Sequence, residues 1–246
     1  MASQRPPTRA VTPRDLQEVD FSDEGSGESS FDELESDPER AISYVMEWYN
    51  KVLTRSAKYR TGLAYDNRML LHHHPTQSHP ECPERIEVIM ETLKQAGLIS
   101  KMYSIPIKEA QESDVLNVHS RKHLAFVRSL DDPSARESLR GYLDKHSAYA
   151  SEGSVTSAFV AAGAVISAVE CLAHNVARNA MCVVRPPGHH AENSKVCGFC
   201  LFDNVAIAAS VAIKRFNYQR VLILGKYFFF VFRCIGKKTN FRAKNI

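Results

Sequence analysis

The run Met181-Cys182-Val183-Val184, followed at once by Arg185-Pro186-Pro187-Gly188-His189-His190, constrains the fold of this chain more than any other segment. Four apolar residues stopped by a proline pair read as a short buried strand. Pro186 and Pro187 fix their own φ and have no N–H, and Gly188 tolerates a tight backbone path, so the strand runs into a rigid loop. Asn204 then precedes the helix-like Val205-Ala206-Ile207-Ala208-Ala209. Strand, rigid loop and helix in that order is the unit of an open α/β sheet, whose chemistry gathers beyond the carboxyl ends of the strands. Adjacent histidines at that place are hard to explain as core packing. An imidazole accepts a proton near neutrality, and two can divide the work between a base and an electrostatic or acid partner. His189 and His190 are therefore the candidate catalytic residues.

The rest of the chain repeats the alternation. Strands are expected at residues 61–65, 102–107, 181–184 and 221–224. A helix is expected from Pro83, with Ile86, Ile89, Met90 and Leu93 on one face and Gly97 at its end. Residues 154–173 read as a helix whose Ala158, Ala161, Ala162, Gly163 and Ala164 allow close approach to a sheet. Alternating strands and helices predict a parallel sheet covered by helices on both faces.

Charge and cysteine usage narrow the setting. The chain holds 31 Lys and Arg against 28 Asp and Glu, but six of the basic residues and none of the acidic ones fall in 225–246, leaving 25 against 28 elsewhere. The basicity is local and does not argue for nucleic-acid binding by the domain. Residues 1–5, Met-Ala-Ser-Gln-Arg, lack the apolar stretch of a signal peptide, and no segment is expected to span a bilayer. Six cysteines without a framework spacing suit a reducing compartment, nucleus or cytoplasm. Residues 1–37 are rich in Ser, Asp, Glu and Pro and are expected to be a disordered acidic leader. Ser29 and Ser30 precede Asp32 and Glu33 by three positions, which suits an acid-directed kinase as well as a merely solvating leader. Across 38–59, Ile42, Val45, Met46, Tyr49 and Leu53 recur at helical spacing after Asp37-Pro38. His72, His73, His74 and His79, with Pro75 and Pro80 close by, read as a solvated loop rather than a metal cluster. Cys197 and Cys200 have C-x-x-C spacing, but a second pair is missing.

Arg185-Pro186-Pro187-Gly188-His189-His190-Ala191 and Gly198-Phe199-Cys200 closely resemble motifs of the class II histone deacetylases. The resemblance covers roughly residues 60–224, including Thr61-Gly62-Leu63-Ala64-Tyr65-Asp66, His79-Pro80-Glu81-Cys82-Pro83-Glu84-Arg85-Ile86 and Val118-His119-Ser120. It implies a three-layer α/β/α arginase/deacetylase-like fold with a parallel sheet of eight strands, of which this chain holds the N-terminal half. It further implies that His189 and His190 activate and steer a zinc-bound water, that Gly198 and Phe199 wall the acyl-lysine tunnel, and that Ser147 contacts substrate. An ordinary helix-preceding serine is the alternative for Ser147. Cys197 and Cys200 then become lining of a packed loop. The implied substrate is an acetylated histone or another acetyl-lysine protein, within a co-repressor complex.

After Val221-Leu222-Ile223-Leu224 the resemblance stops. The family continues with an Asp-x-Asp-x-His-His-Gly segment that supplies two zinc ligands, whereas 225–246 contain no Asp, Glu or His. Zinc is expected for the complete family domain, and this chain is expected to supply no metal ligand, to bind no zinc and to be inactive as written. The alternatives are a catalytically dead interaction or dominant-negative isoform, an incomplete gene model, and a relative acting on acetylpolyamines. Gly225-Lys226-Tyr227 can be encoded by a splice-donor-like string, so 225–246 are expected to be a non-homologous tail from translated intron. In the implied fold the last two strands insert between the third and fourth. The sheet is therefore expected to have a gap there, with unpaired edges that favour aggregation.

Overall fold

The computed structural model describes residues 59–74, 79–226 and 229–235. The expected leader over 1–37, and the amphipathic segment over 38–59 apart from its last residue, lie outside the described residues.

Strand β1, Tyr59–Ala64, is the middle of a parallel three-stranded sheet, with β2, Tyr103–Ser104, on one side and β3, Ala177–Cys182, on the other. Leu63 pairs with Ser104 and Met181, and Ala64 pairs with Cys182. Successive strand residues face opposite sides. Leu63 joins the buried cluster that contains Ile86, with Ile89, Met90 and Leu93 of helix α1, Glu84–Gln95, packed against it. Ala64 joins the cluster of Ala164, Ala168 and Cys171 from the long helix α5, Ser154–Ala173. The sheet is thus covered on both faces, as the alternating pattern requires.

Between β2 and α5 the chain forms α2, Glu112–Val115, α3, Arg121–Ser129, and α4, Pro133–Lys145. The α3 and α4 termini follow local capping chemistry. Ser120 accepts from the His123 amide, and Asp132 accepts from the Ser134 amide ahead of Pro133. Leu124, Val127 and Leu143 bury their side chains in a cluster with Phe159, Leu201, Phe202 and Ile207, the last from α6, Asn204–Phe216.

Helix α5 is the centre of the core. It is long and apolar enough to cross a membrane, against the expectation that no segment would be, but 83% of its most apolar window is buried inside the protein. Its small side chains let neighbours approach on several sides, so its apolarity serves packing. At Gly163 a Cβ would run into the Lys108 carbonyl and the Ala110 amide. That amide donates to the Phe159 carbonyl at 3.0 Å, fixing the segment after β2 against the helix.

The fourth expected strand is present but does not extend this sheet among the described residues. Strand β4, Arg220–Lys226, pairs antiparallel with β5, Phe229–Ile235, from Arg220↔Ile235 to Lys226↔Phe229. Val221 packs against the α5–α6 cluster of Val165, Val169, Ala208 and Ala212.

Candidate functional site

The histidine loop leaves the sheet just beyond the carboxyl end of β3, where the α/β rule places chemistry. The Val183 amide still donates to the Ala64 carbonyl at 2.9 Å, and the next residues turn away through a cis Arg185-Pro186 peptide. The turn is supported from α6. Val205 N donates to the Gly188 carbonyl at 3.1 Å, and Asn204 Nδ2 donates to the Pro186 carbonyl at 3.4 Å. Gly188 lies so close to Asn204 that a Cβ would collide with its side-chain amide.

Beyond the turn, the His189 and His190 rings lie 4.1 Å apart between centroids. His189 is half-buried, His190 exposed. Burial, then the neighbouring His190 and the Arg85 guanidinium, lower the His189 pKa below its ordinary value. A lowered pKa keeps the ring neutral and able to accept a proton at pH 7. Removing Arg85 removes one of these opposing charges. In Arg85→Met the His189 titration followed by NMR is therefore expected to move to higher pH; no movement, or movement to lower pH, would contradict the assignment.

The second motif folds back over the first. Gly198 has φ +53°, and a Cβ there would meet the His190 ring at 2.7 Å. Phe199 also adopts a left-handed backbone, φ +70°, as does Ser147, φ +50°. Such angles are uncommon outside glycine and cost on the order of 1–3 kcal/mol where they persist. The two strained residues are joined to each other. Phe199 N donates to the Ser147 carbonyl at 2.8 Å, and Gly198 N donates to the His146 carbonyl at 3.1 Å. Phe199 also meets the His79 ring edge-on at 4.8 Å. Cys200 ties the two motifs together: its sulfur accepts from the His189 amide at 3.4 Å and donates to the Gly198 carbonyl at 3.3 Å. Burial pushes this thiol up to about 11, so it keeps the proton it donates.

All five residues singled out from sequence, His189, His190, Gly198, Phe199 and Ser147, therefore fall in one cluster. Ser147 does not precede a helix, contrary to the alternative reading. It lies in the turn after α4, and α5 starts seven residues later. The expectation of a solvated histidine loop fails at His72, which is 1% exposed. The short 3-10 turn Asn67–Leu71 buries Met69 and carries the next residue inward. The His72 ring stacks on Tyr149 at 4.3 Å and its Nδ1 lies 2.7 Å from Ser154 Oγ. Burial, then Arg185, hold its pKa well below the usual histidine range, so its 3.6 Å approach to Glu81 is a contact of a neutral ring and not an ion pair.

Arg185, Glu81 and Tyr149 are the residues whose importance the sequence did not reveal. Arg185 is 0% exposed and Glu81 3%. The guanidinium donates to both Glu81 carboxylate oxygens, at 3.0 and 2.8 Å, to Tyr149 Oη at 3.0 Å, and to the carbonyls of Met69 and His72. The Tyr149 hydroxyl donates to the Glu81 carboxylate at 3.0 Å. A fully buried charge such as that of Arg185 requires such partners. That requirement was a usable signal, since His79-Pro80-Glu81 carries an acid within an otherwise imidazole-rich loop.

A second buried histidine holds the loop from the opposite side. His119 is 2% exposed and is held down at a pKa of about 4 by burial, then by His123. Because the folded ring refuses a proton that the unfolded one takes below pH 6.5, its contribution is complete above that value and is lost as pH falls through the window to about 4. The folded chain is expected to lose on the order of 3 kcal/mol there from this group. Urea titrations across that window check it, and His119→Gln is expected to flatten the slope, to which His72, His123 and His189, also lowered by burial, add in the same direction.

Zinc requires about three protein donors and an open position. Among the described residues no group of three His, Cys, Asp or Glu converges to hold a metal. The nearby Asp203 turns its Oδ1 to the Ala206 amide at 2.8 Å, capping α6. The donors present here do not fit a zinc ion by themselves.

The parallel α/β scaffold thus carries the paired histidines beyond a strand end, beside the strained Gly198–Phe199 loop. The Histone deacetylase domain family matches residues 79–225, and the chain belongs to that family, on its class II-like side. It is 36% identical over 186 residues to Histone deacetylase HDA1 of Candida albicans, covering 67% of this chain and 22% of that protein. It is 38% identical over 172 residues to Histone deacetylase 5 of Arabidopsis thaliana, covering 67% and 26%. Polyamine deacetylase HDAC10 of Danio rerio is 36% identical over 144 residues, covering 58% and 21%. The crystal structure of the HDA15 HD domain superposes with a TM-score of 0.54 at 32% identity, covering 63% of this chain and 43% of that one. The chain thus spans about a quarter of the length of the curated relatives it matches.

Proposed function

We propose that this chain supplies the proton-transferring histidines and the acyl-binding wall for hydrolysis of N6-acetyl-lysine to lysine and acetate. The observation that carries the reading is the convergence of the His189–His190 pair with Gly198, Phe199 and the Ser147 turn. In the reaction, water adds to the acetyl carbonyl carbon, the C–N bond breaks, and the nitrogen leaves as an amine after taking a proton. His189, kept neutral by its surroundings, accepts the proton from water and passes it to the departing nitrogen, while the exposed His190 beside it stabilises the charge that develops. Phe199 offers a face for the aliphatic stem of the lysine, and Ser147 stands at the rim.

The reading assigns no metal ligand to the described residues, so zinc-dependent turnover needs donors from elsewhere. By itself the chain then acts as an acyl-lysine binding half-site, and a non-catalytic interaction role is the second reading that the donor set favours. The substrate on the first reading is an acetylated histone or another acetylated protein, encountered in the nucleus or cytoplasm and within a co-repressor complex. The likeness to a polyamine deacetylase makes an acetylated polyamine the competing substrate.

Titration of the isotope-labelled chain with an acetyl-lysine peptide, the unacetylated peptide and an acetylated polyamine tests the proposal. Amide shifts centred on His189, His190, Gly198 and Phe199 are expected with the acetyl-lysine peptide and not with its unacetylated form. Equal response to both peptides, or shifts elsewhere in the domain, would overturn it, and a response to the polyamine alone would favour the competing substrate.

A further inference from the structure

We propose that His119 is a positioning residue for the acyl-binding wall: its ring, held in a single tautomer, joins the two ends of the Glu192–Asp203 loop and so sets where Gly198 and Phe199 stand beside His190. The inference rests on the deacetylase reading for the meaning of that wall, although the joining itself does not.

The tautomer is fixed by the partners alone. His119 Nδ1 lies 2.9 Å from the Glu192 carbonyl and 3.4 Å from that of Asn193. A carbonyl can only accept, so Nδ1 carries the proton. On the other side of the ring, Nε2 lies 2.9 Å from the Asp203 amide, which can only donate, so Nε2 is bare. One neutral imidazole thereby bonds the first and last residues of the loop that carries Cys197-Gly198-Phe199-Cys200. Its neighbours reinforce the same ends. Ser120 N donates to the Asn193 carbonyl at 2.9 Å, and His123, stacked on His119 at 4.6 Å, donates from Nε2 to the Leu201 carbonyl at 2.8 Å.

The consequence extends to the histidine pair. Asp203 is the N-cap of α6, and the two residues after it hold the Pro-Pro-Gly turn through Asn204 Nδ2 and Val205 N. His119 therefore sits at a node from which one route leads to the Gly198–Phe199 wall and the other to the base of the His189–His190 loop. Its ring bonds go to the Glu192 and Asn193 carbonyls and the Asp203 amide, so it acts on the wall through the backbone it holds.

Three replacements separate the two arms. His119→Gln places an acceptor near the old Nε2 and keeps the Asp203 contact; His119→Asn places a donor near the old Nδ1 and keeps the Glu192 contact; His119→Phe keeps the stack on His123 and loses both. Hydrogen exchange in the full chain is read at the loop amides and, as an internal reference, at α5. His119→Phe is expected to speed exchange of the 197–203 amides by about tenfold, the order expected for losing one or two net hydrogen bonds, with α5 unchanged. His119→Gln is expected to restore protection at Asp203, and nitrogen NMR of the wild-type ring to place the proton on Nδ1. Equal acceleration in loop and α5, or a ring protonated on Nε2, would overturn the proposal. The acetyl-lysine peptide titration separates the two claims. A His119→Phe chain that binds the peptide several-fold more weakly, with α5 still protected, supports positioning of the wall. A wild-type chain that binds no peptide while the exchange pattern stands as described would sink the functional reading and leave the tautomer and the loop joining in place. Unchanged peptide affinity in His119→Phe would overturn the positioning role.

Discussion

Replacing Arg185 with methionine is expected to destabilise the domain by about 3–5 kcal/mol, because it leaves the buried Glu81 carboxylate with only the Tyr149 hydroxyl and the more distant Arg85, at 3.7 Å. Glu81 is 3% exposed, and the lost guanidinium supplies both of its charge-assisted bonds as well as donors to Tyr149 and to the Met69 and His72 carbonyls. With total stabilities of about 5–15 kcal/mol, such a loss brings a domain close to unfolding at room temperature. Glu81→Leu alone strands the opposite charge and is expected to cost a similar amount. The double replacement Arg185→Met with Glu81→Leu removes both charges and is expected to be milder than either single change. Urea denaturation followed by circular dichroism on the three variants decides it. Single variants that each lose less than about 1 kcal/mol, or a double variant worse than both, would show that the pair does not hold the loop base.

The second large effect is expected at Gly163. An alanine there would drive its Cβ into the Lys108 carbonyl and the Ala110 amide, both main-chain atoms that cannot swing aside. Overpacking of a fixed core costs about 1–3 kcal/mol and occasionally more, and a rigid backbone neighbour puts Gly163→Ala at the upper end and Gly163→Val beyond it. Gly141 in α4 is the internal control. Its position meets nothing within 4 Å, so Gly141→Ala should stabilise by about 0.5–1 kcal/mol through helix propensity alone. A thermal melt in which Gly163→Ala matches Gly141→Ala would refute the close approach of α5 to the segment after β2.

The parts of this fold that the sequence made legible are those in which local pattern and tertiary burial agree. Helix α1 shows its apolar face as Ile86, Ile89, Met90 and Leu93, and all four pack in a single cluster. Helix α5 falls on the expected span because its small and apolar residues run unbroken from Ala158 to Ile166. Strand positions were less legible. Residues 102–107 read as one strand, but the ladder covers only Tyr103–Ser104, with one further bond from the Ile105 amide to the Leu63 carbonyl, before Pro106 ends the donors. Strand β3 begins at Ala177, through Arg178 and Asn179, because pairing with β1 rather than local apolarity sets its start. The helices over 112–145 carry mostly exposed polar faces and left no clear apolar period to read.

The candidate site divides in the same way. The tandem histidines announce themselves by composition, since such residues in a proline-stopped loop have few packing explanations, whereas Gly198, Phe199 and Ser147 were singled out only through the family resemblance. The groups that position them were hidden: the buried Arg185–Glu81 pair spans 104 residues of sequence, and His119 reaches 84 residues forward to Asp203. His72 was misread because three consecutive histidines look like solvent-facing repetition, whereas the 3-10 turn before it sends that single ring into the core. Pairings of that sequence separation leave no local period, and only the folded chain brings them together.

The most direct test of the central claim, that the described residues hold the base and the acyl wall but not a complete metal site, is zinc content per folded chain measured together with acetate release from an acetyl-lysine peptide. The predicted result is a folded chain without stoichiometric zinc and without acetate release. One zinc per chain with turnover that disappears in His189→Ala or His190→Ala would contradict it, and would mean that a full set of metal ligands is assembled by this chain alone.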